Sequence, residues 1–77
     1  MTDVICKRII DLKEEKDLKQ RKVAEALNIS RSTYANYEIG TNKIPIEILA
    51  KLAKYYNTSV DYIIGLTNER TPYPPIK

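Results

Sequence analysis

Apolar residues recur along this chain at spacings of three and four, the period of helices that bury one face. Ile5, Ile9 and Leu12 form the first such stripe, with Lys7, Arg8, Asp11 and Glu14 off it, and predict a helix over 3–16. Asp17-Leu18-Lys19 is a short connector whose leucine is pinned into the core. Val23, Ala24 and Leu27 share a face of a second helix, 20–27, with the small Ala24 at its middle. Asn28 stops that helix, because asparagine tolerates the left-handed backbone better than other non-glycine residues and can stand just past a helix end. Ile29 is the apolar plug of the turn. Ser30 suits the cap of a third helix, about 30–38, its hydroxyl accepting the free N–H two or three residues on. In that helix Tyr34 and Tyr37 face inward, while Arg31, Ser32, Thr33 and Asn36 point elsewhere. Gly40 closes it, and Thr41-Asn42-Lys43 make a polar loop.

Pro45 suits the first position of a fourth helix, along which Ile48, Leu49, Leu52, Ala53 and Tyr56 make an apolar stripe. Asn57 and Thr58 break it. Ser59 caps a short fifth helix in which Val60, Ile63 and Ile64 are expected to be buried, and Gly65 ends it. The last residues carry Pro72, Pro74 and Pro75 and cannot continue a helix. The expected organisation is an all-α folded domain over 1–66 and a proline-rich, extended and flexible tail over 67–77.

Composition narrows the function classes. Seventy-seven residues make one domain with one small core. A hydrophobic content of 43% with 30% charged residues suits a globular chain rather than a disordered one. The longest apolar runs are too short to span a bilayer, and no signal-peptide pattern opens the chain. A lone Cys6 rules out an internal disulfide framework, so a cytoplasmic, reducing location is expected. The net charge of +3 permits nucleic-acid binding without demanding it. Its distribution says more: between Lys19 and Lys43 the cations Lys19, Arg21, Lys22, Arg31 and Lys43 face only Glu25 and Glu38, an excess equal to that of the whole chain.

Enzyme chemistry finds no support. Histidine, the commonest base and metal ligand, is absent. With only Gly40 and Gly65 there is no glycine-rich phosphate loop, Cys6 has no imidazole partner, and the neighbouring Glu14 and Glu15 diverge to different helix faces. The expectation is no catalysis, no cofactor and no metal. Six tyrosines raise the idea of a stacking platform for single strands, but Tyr34, Tyr37 and Tyr56 fall on core stripes of a chain that has no Phe or Trp to fill them. Tyr55, Tyr62 and Tyr73 are freer.

The residues Gln20, Ala24, Asn28 at the turn, Ile29-Ser30 and Tyr37-Glu38-Ile39-Gly40, together with the stretch IPIEILAKLAKYYNTSVDYIIGLT, resemble the phage repressor/Cro-like helix-turn-helix family, also called the xenobiotic-response-element (XRE) family. The resemblance covers roughly 4–66. Two departures are Asn28, where the family usually has glycine, and Lys13, where many members carry arginine. The resemblance implies a compact five-helix, lambda-repressor-like domain with helix 3 in the DNA major groove. It implies that Gln20 contacts the DNA backbone and braces helix 3, that Asn42 and Lys43 clamp phosphates, and that Glu38 turns inward to pair with Lys13. A lysine lacks the bidentate fork of an arginine, so that pair should be looser.

Side-chain chemistry agrees with this reading. Arg31 can donate a bidentate pair to guanine, Asn36 can pair with adenine, and Ser32 with either. Thr33 suits a phosphate or a thymine methyl. Lys19 and Arg21 beside the start of helix 2 are further phosphate candidates, with Gln20, Asn42 and Lys43. The expected function is a sequence-specific double-stranded DNA-binding transcriptional regulator of bacterial or phage type, a repressor acting as a homodimer on a palindromic operator. An apolar patch of Tyr62, Ile64 and Leu66 serves either dimerisation or a small core. The competing expectation is a protein-interaction module, such as an antitoxin or assembly factor, that keeps the fold without reading bases.

Overall fold

The computed structural model describes residues 2–74 and 76. It contains five helices in chain order: α1 (Thr2–Glu15), α2 (Gln20–Leu27), α3 (Arg31–Ile39), α4 (Ile46–Tyr55) and α5 (Val60–Ile64). Among the described residues there is no strand, and no helix is long and apolar enough to cross a membrane.

The apolar stripes meet in one core. Ile9 and Leu12 of α1, Val23, Ala24 and Leu27 of α2, Tyr34 and Tyr37 of α3, Leu49, Leu52 and Ala53 of α4, Tyr56 just past α4, and Ile63 of α5 are all buried. Burial of each large side chain contributes about 1.5–3 kcal/mol, the main favourable term in so small a domain. α1 lies against α3 and α5, and α2 against α3 and α4, while α4 also packs on α5. Ile5, Leu18, Ile29, Val60 and Ile64 are half-buried against this core. Val60 and Ile64 are thus less enclosed than their stripe predicts, because a five-residue helix turns only part of its surface inward.

Each helix is followed within two residues by one with left-handed backbone: Asp17, Asn28, Gly40, Asn57 and Gly65. Asn28 takes φ 60° and ψ 43° at the end of α2, and the Ile29 N–H returns to the Ala24 carbonyl at 3.0 Å. This pairing satisfies carbonyls that a helix end leaves open. Ser30 opens α3 in extended conformation, its Oγ accepting the Thr33 N–H at 3.1 Å. Ser59 does the same for α5 with the Tyr62 N–H at 3.0 Å.

Some boundaries differ from those expected. Pro45 is the residue before α4 rather than its first turn, with ψ 153°, and Tyr56 is the residue after it. Tyr56 still reaches the core, so its place on the apolar stripe outlives the helix itself. Beyond Leu66 the described chain has no helix. It runs against α1 and α5: the Arg70 guanidinium pairs with Glu15, with one contact at 2.8 Å, and the Tyr73 hydroxyl donates to Asp61 at 2.6 Å.

Candidate nucleic-acid interface

The turn at Asn28–Ser30 sets α3 across α2, and the inward residues of α3 decide what it shows outward. Tyr34, Tyr37 and Glu38 are buried. Ser32, Ala35, Asn36 and Ile39, spaced i, i+3, i+4 and i+7, therefore share the opposite stripe. Ser32 is exposed, Asn36 half-buried and Ile39 73% exposed. Arg31 and Thr33 stand on the flanks of that stripe. The Thr33 hydroxyl accepts the Ser30 Oγ–H at 2.8 Å. Sequence reasoning passed over Ala35 and Ile39 because they are apolar, although their spacing from Ser32 was legible. Apolar groups at such positions suit thymine methyls.

Gln20 is the first residue of α2 and Arg31 the first of α3. The structure brings these two helix starts together: Arg31 Nη1 donates to Gln20 Oε1 at 3.1 Å. The other end of the same amide donates through Nε2 to Glu38 Oε1 at 3.0 Å. Glu38 also faces Lys13 of α1, whose Nζ lies 3.3 Å from Oε1 and 3.1 Å from Oε2. The ammonium straddles the carboxylate, and only the longer contact has hydrogen-bond geometry. Both side chains are largely buried, at 13% and 6% exposure. Removing either partner alone would strand a buried charge, at a cost of about 3–5 kcal/mol.

Lys13, Lys19, Gln20, Arg21 and Arg31 line one open hollow of ≈ 670 Å³ together with Glu14, Asp17 and Leu18. It sits at the start of α2, where the first N–H groups have no helical acceptor and the helix dipole favours an anion. Asn42 and Lys43 are exposed and lie at the opposite end of α3. They border a second hollow of ≈ 380 Å³ walled by Ile5, Ile44, Leu49 and Ile64. The candidate phosphate ligands thus fall into two groups, one at each end of α3.

The remaining chemistry is structural. Burial, and then the nearby Glu38 carboxylate, push the Tyr34 phenol well above its ordinary range. Its hydroxyl meets no hydrogen-bond partner. Cys6 is half-buried and its thiol donates to the Tyr37 carbonyl at 3.4 Å. Tyr62 and Ile64 are half-buried against the core. The Tyr62 ring is covered by the guanidinium of Arg8 at 4.2 Å and that of Arg70 at 5.3 Å, while Leu66 stays 67% exposed. Among the described residues no group of His, Cys, Asp and Glu could hold a metal ion.

The helix-turn-helix family model matches residues 9–63, which include every helix except the first turns of α1 and the last residue of α5. The chain belongs to the XRE-type helix-turn-helix family. It is 39% identical over 67 residues to the uncharacterized HTH-type transcriptional regulator YobD of Bacillus subtilis, covering 87% of this chain and 60% of that protein. It is 37% identical over 58 residues to the cryptic phage CTXphi transcriptional repressor RstR of Vibrio cholerae, covering 75% and 52%. The crystal structure of a transcriptional regulator from Listeria innocua superposes with a TM-score of 0.77 at 37% identity, covering 84% of this chain and 61% of that one. The chain spans between half and two thirds of the length of these relatives. Within the helix-turn-helix, Asn28 supplies the left-handed turn that the family usually gives to glycine.

Proposed function

We propose that this chain is the sequence-specific double-stranded DNA-binding domain of a transcriptional regulator of repressor type, and that α3 enters the major groove. The observation that carries the reading is the outward stripe of α3, whose polar residues are free of the core while cationic and amide groups gather at both of its ends. The similarity to RstR, a phage transcriptional repressor, supports the repressor assignment.

In this reading Arg31 reads guanine, Asn36 reads adenine and Ser32 assists, each good bidentate pair discriminating by about 1–3 kcal/mol. Lys19, Gln20 and Arg21 hold the phosphates on one side of the half-site, and Asn42 and Lys43 those on the other. Gln20 keeps one amide N–H beyond its bond to Glu38, enough for a phosphate oxygen. Thr33 accepts from Ser30 and keeps its own O–H to donate to a phosphate oxygen. The domain binds as a homodimer on a palindromic operator and represses by occluding the promoter. The half-sites are then about 34 Å apart, one turn of DNA.

Selection of bound duplexes from a random pool, followed by titration at two salt concentrations, tests the proposal. The expected result is a two-fold-symmetric consensus. Lys19, Arg21 and Lys43 from each of two copies predict a slope of log K against log salt of about −5. An unenriched pool with salt-independent binding would overturn it and favour the protein-interaction module.

A further inference from the structure

Four side chains from three helices are joined end to end: Lys13 to Glu38, Glu38 to Gln20, and Gln20 to Arg31, at 3.3, 3.0 and 3.1 Å. Glu38 is buried, Lys13 largely so, and Arg31 is exposed at the candidate interface. Resting on the DNA-reading function proposed above, we infer that Glu38, held by Lys13, is a positioning residue for base selectivity: it fixes the direction of the Gln20 amide and thereby the placement of the Arg31 guanidinium.

The direction of each link follows from what the groups can do. A carboxylate only accepts, and a guanidinium only donates. Between them Gln20 has one arrangement that satisfies both neighbours, with its NH2 toward Glu38 and its carbonyl toward Arg31. Turned the other way, the amide would set its oxygen against a carboxylate and its donors against a guanidinium. The buried ion pair therefore settles a choice that an isolated glutamine would leave open. Arg31 spends one of its five N–H donors on this contact. Nε and Nη2 stay available for a guanine edge. An exposed arginine without the contact would divide its time among many rotamers.

Glu38→Gln removes the direction, because an amide at position 38 can offer either end to Gln20. The position read by Arg31 is first identified as the base pair whose preference disappears in Arg31→Ala. At that base pair Glu38→Gln should lower discrimination by about 3- to 10-fold, a part of the range that a full bidentate contact provides. The other positions should keep their ratios. Loss of folded protein would weaken all sequences alike and leave every ratio unchanged, so a merely structural role gives a different pattern. Gln20→Ala provides a second route that leaves the buried pair in place. It should lower the same ratio and also weaken binding generally through its lost phosphate contact.

The double variant Gln20→Glu with Glu38→Gln moves the carboxylate one link outward. It again offers Arg31 an acceptor, and the amide at position 38 can donate to it while accepting from Lys13. This pair should restore the ratio at the Arg31 base pair while general affinity falls, because a carboxylate then faces phosphate. Unchanged discrimination in both Glu38→Gln and Gln20→Ala, or a double variant no better than Glu38→Gln, overturns the inference. A readout without DNA separates it from the binding proposal. Nitrogen-15 relaxation of the Arg31 Nε–H should report a restrained side chain in the parent and a mobile one in Glu38→Gln and Gln20→Ala. If the parent binds no duplex while this difference holds, the DNA reading fails and the positioning relay stands. If the side chain is equally mobile in all three, the relay fails.

Discussion

Tyr34 is wholly buried at the centre of the core, and its hydroxyl has no hydrogen-bond partner. An orphaned buried donor costs about 1–3 kcal/mol, so Tyr34→Phe should fold with unchanged or greater stability at neutral pH. The larger effect belongs to alkaline solution. Burial and the Glu38 carboxylate raise the Tyr34 phenol, and burial with the charge of Tyr55 raises Tyr56. The folded state therefore holds these protons more tightly than the unfolded chain does. Their contribution is complete below the ordinary phenol value of about 10 and is lost as pH climbs toward the raised folded values. Denaturant titrations at pH 8 and pH 11 should show a steep loss in the parent and a shallower one in Tyr34→Phe. Equal losses would mean that Tyr34 ionises without unfolding. That three tyrosines would fill the core was legible, since they lie on apolar stripes of a chain without Phe or Trp. The missing partner was not, because it depends on how far the Glu38 carboxylate is drawn toward Lys13 and Gln20.

Helix ends carry the information at the next scale. Asn28 holds the reversal between α2 and α3 at φ 60°. A β-branched side chain there would meet the preceding carbonyl, at a cost of about 1–2 kcal/mol. Asn28→Val should lower the midpoint of thermal unfolding accordingly, whereas Asn28→Gly should match or exceed the parent. If valine were as stable as glycine at this site, the left-handed turn would not be what fixes the angle between the helices. Asn28, Gly40 and Gly65 announced themselves as stops because these residue types favour the left-handed backbone. Asp17, which follows α1 at φ 55°, was passed over as part of a connector. The outward placing of Ser32 and Asn36, with Arg31 at their flank, was legible from inward-facing Tyr34 and Tyr37. The contact between Gln20 and Arg31 was not, since the residues are eleven apart on two helices and only the crossing angle brings their first turns together.

At the scale of the whole molecule, the two ends of the chain are tied to each other. The Arg8 guanidinium of α1 donates to the carbonyls of Tyr62 and Thr67 and to the Asn68 side chain. Arg70 also covers the Tyr62 ring and donates from Nε to its hydroxyl at 3.1 Å. A Cβ on Gly65 would stand 2.7 Å from Cγ1 of Val4, so α1 and the end of α5 approach as closely as a bare backbone allows. The prolines pointed to an extended, flexible tail over 67–77, of which Pro75 and Lys77 lie outside the described residues; the partners of its described residues lie on α1 and α5 and leave no trace in local sequence. Arg70 holds the Glu15 carboxyl below its ordinary value, chiefly through their hydrogen bond. A lowered folded value means that the pair stabilises above the ordinary carboxylate range and ceases to as pH falls through that lowered value. Arg70→Ala should therefore be modestly less stable than the parent at pH 7. The gap should narrow, but not close, near pH 2, where the contact with Tyr62 survives in the parent. Both pairings are exposed, so salt should shrink the gap at pH 7 as well. None of the partners of Arg70 lies on α2 or α3, so selectivity among duplexes should be the same in parent and variant. A gap independent of pH and salt would place the whole effect in the stacking of Arg70 on Tyr62, and a change in selectivity would show that the tail communicates with α3.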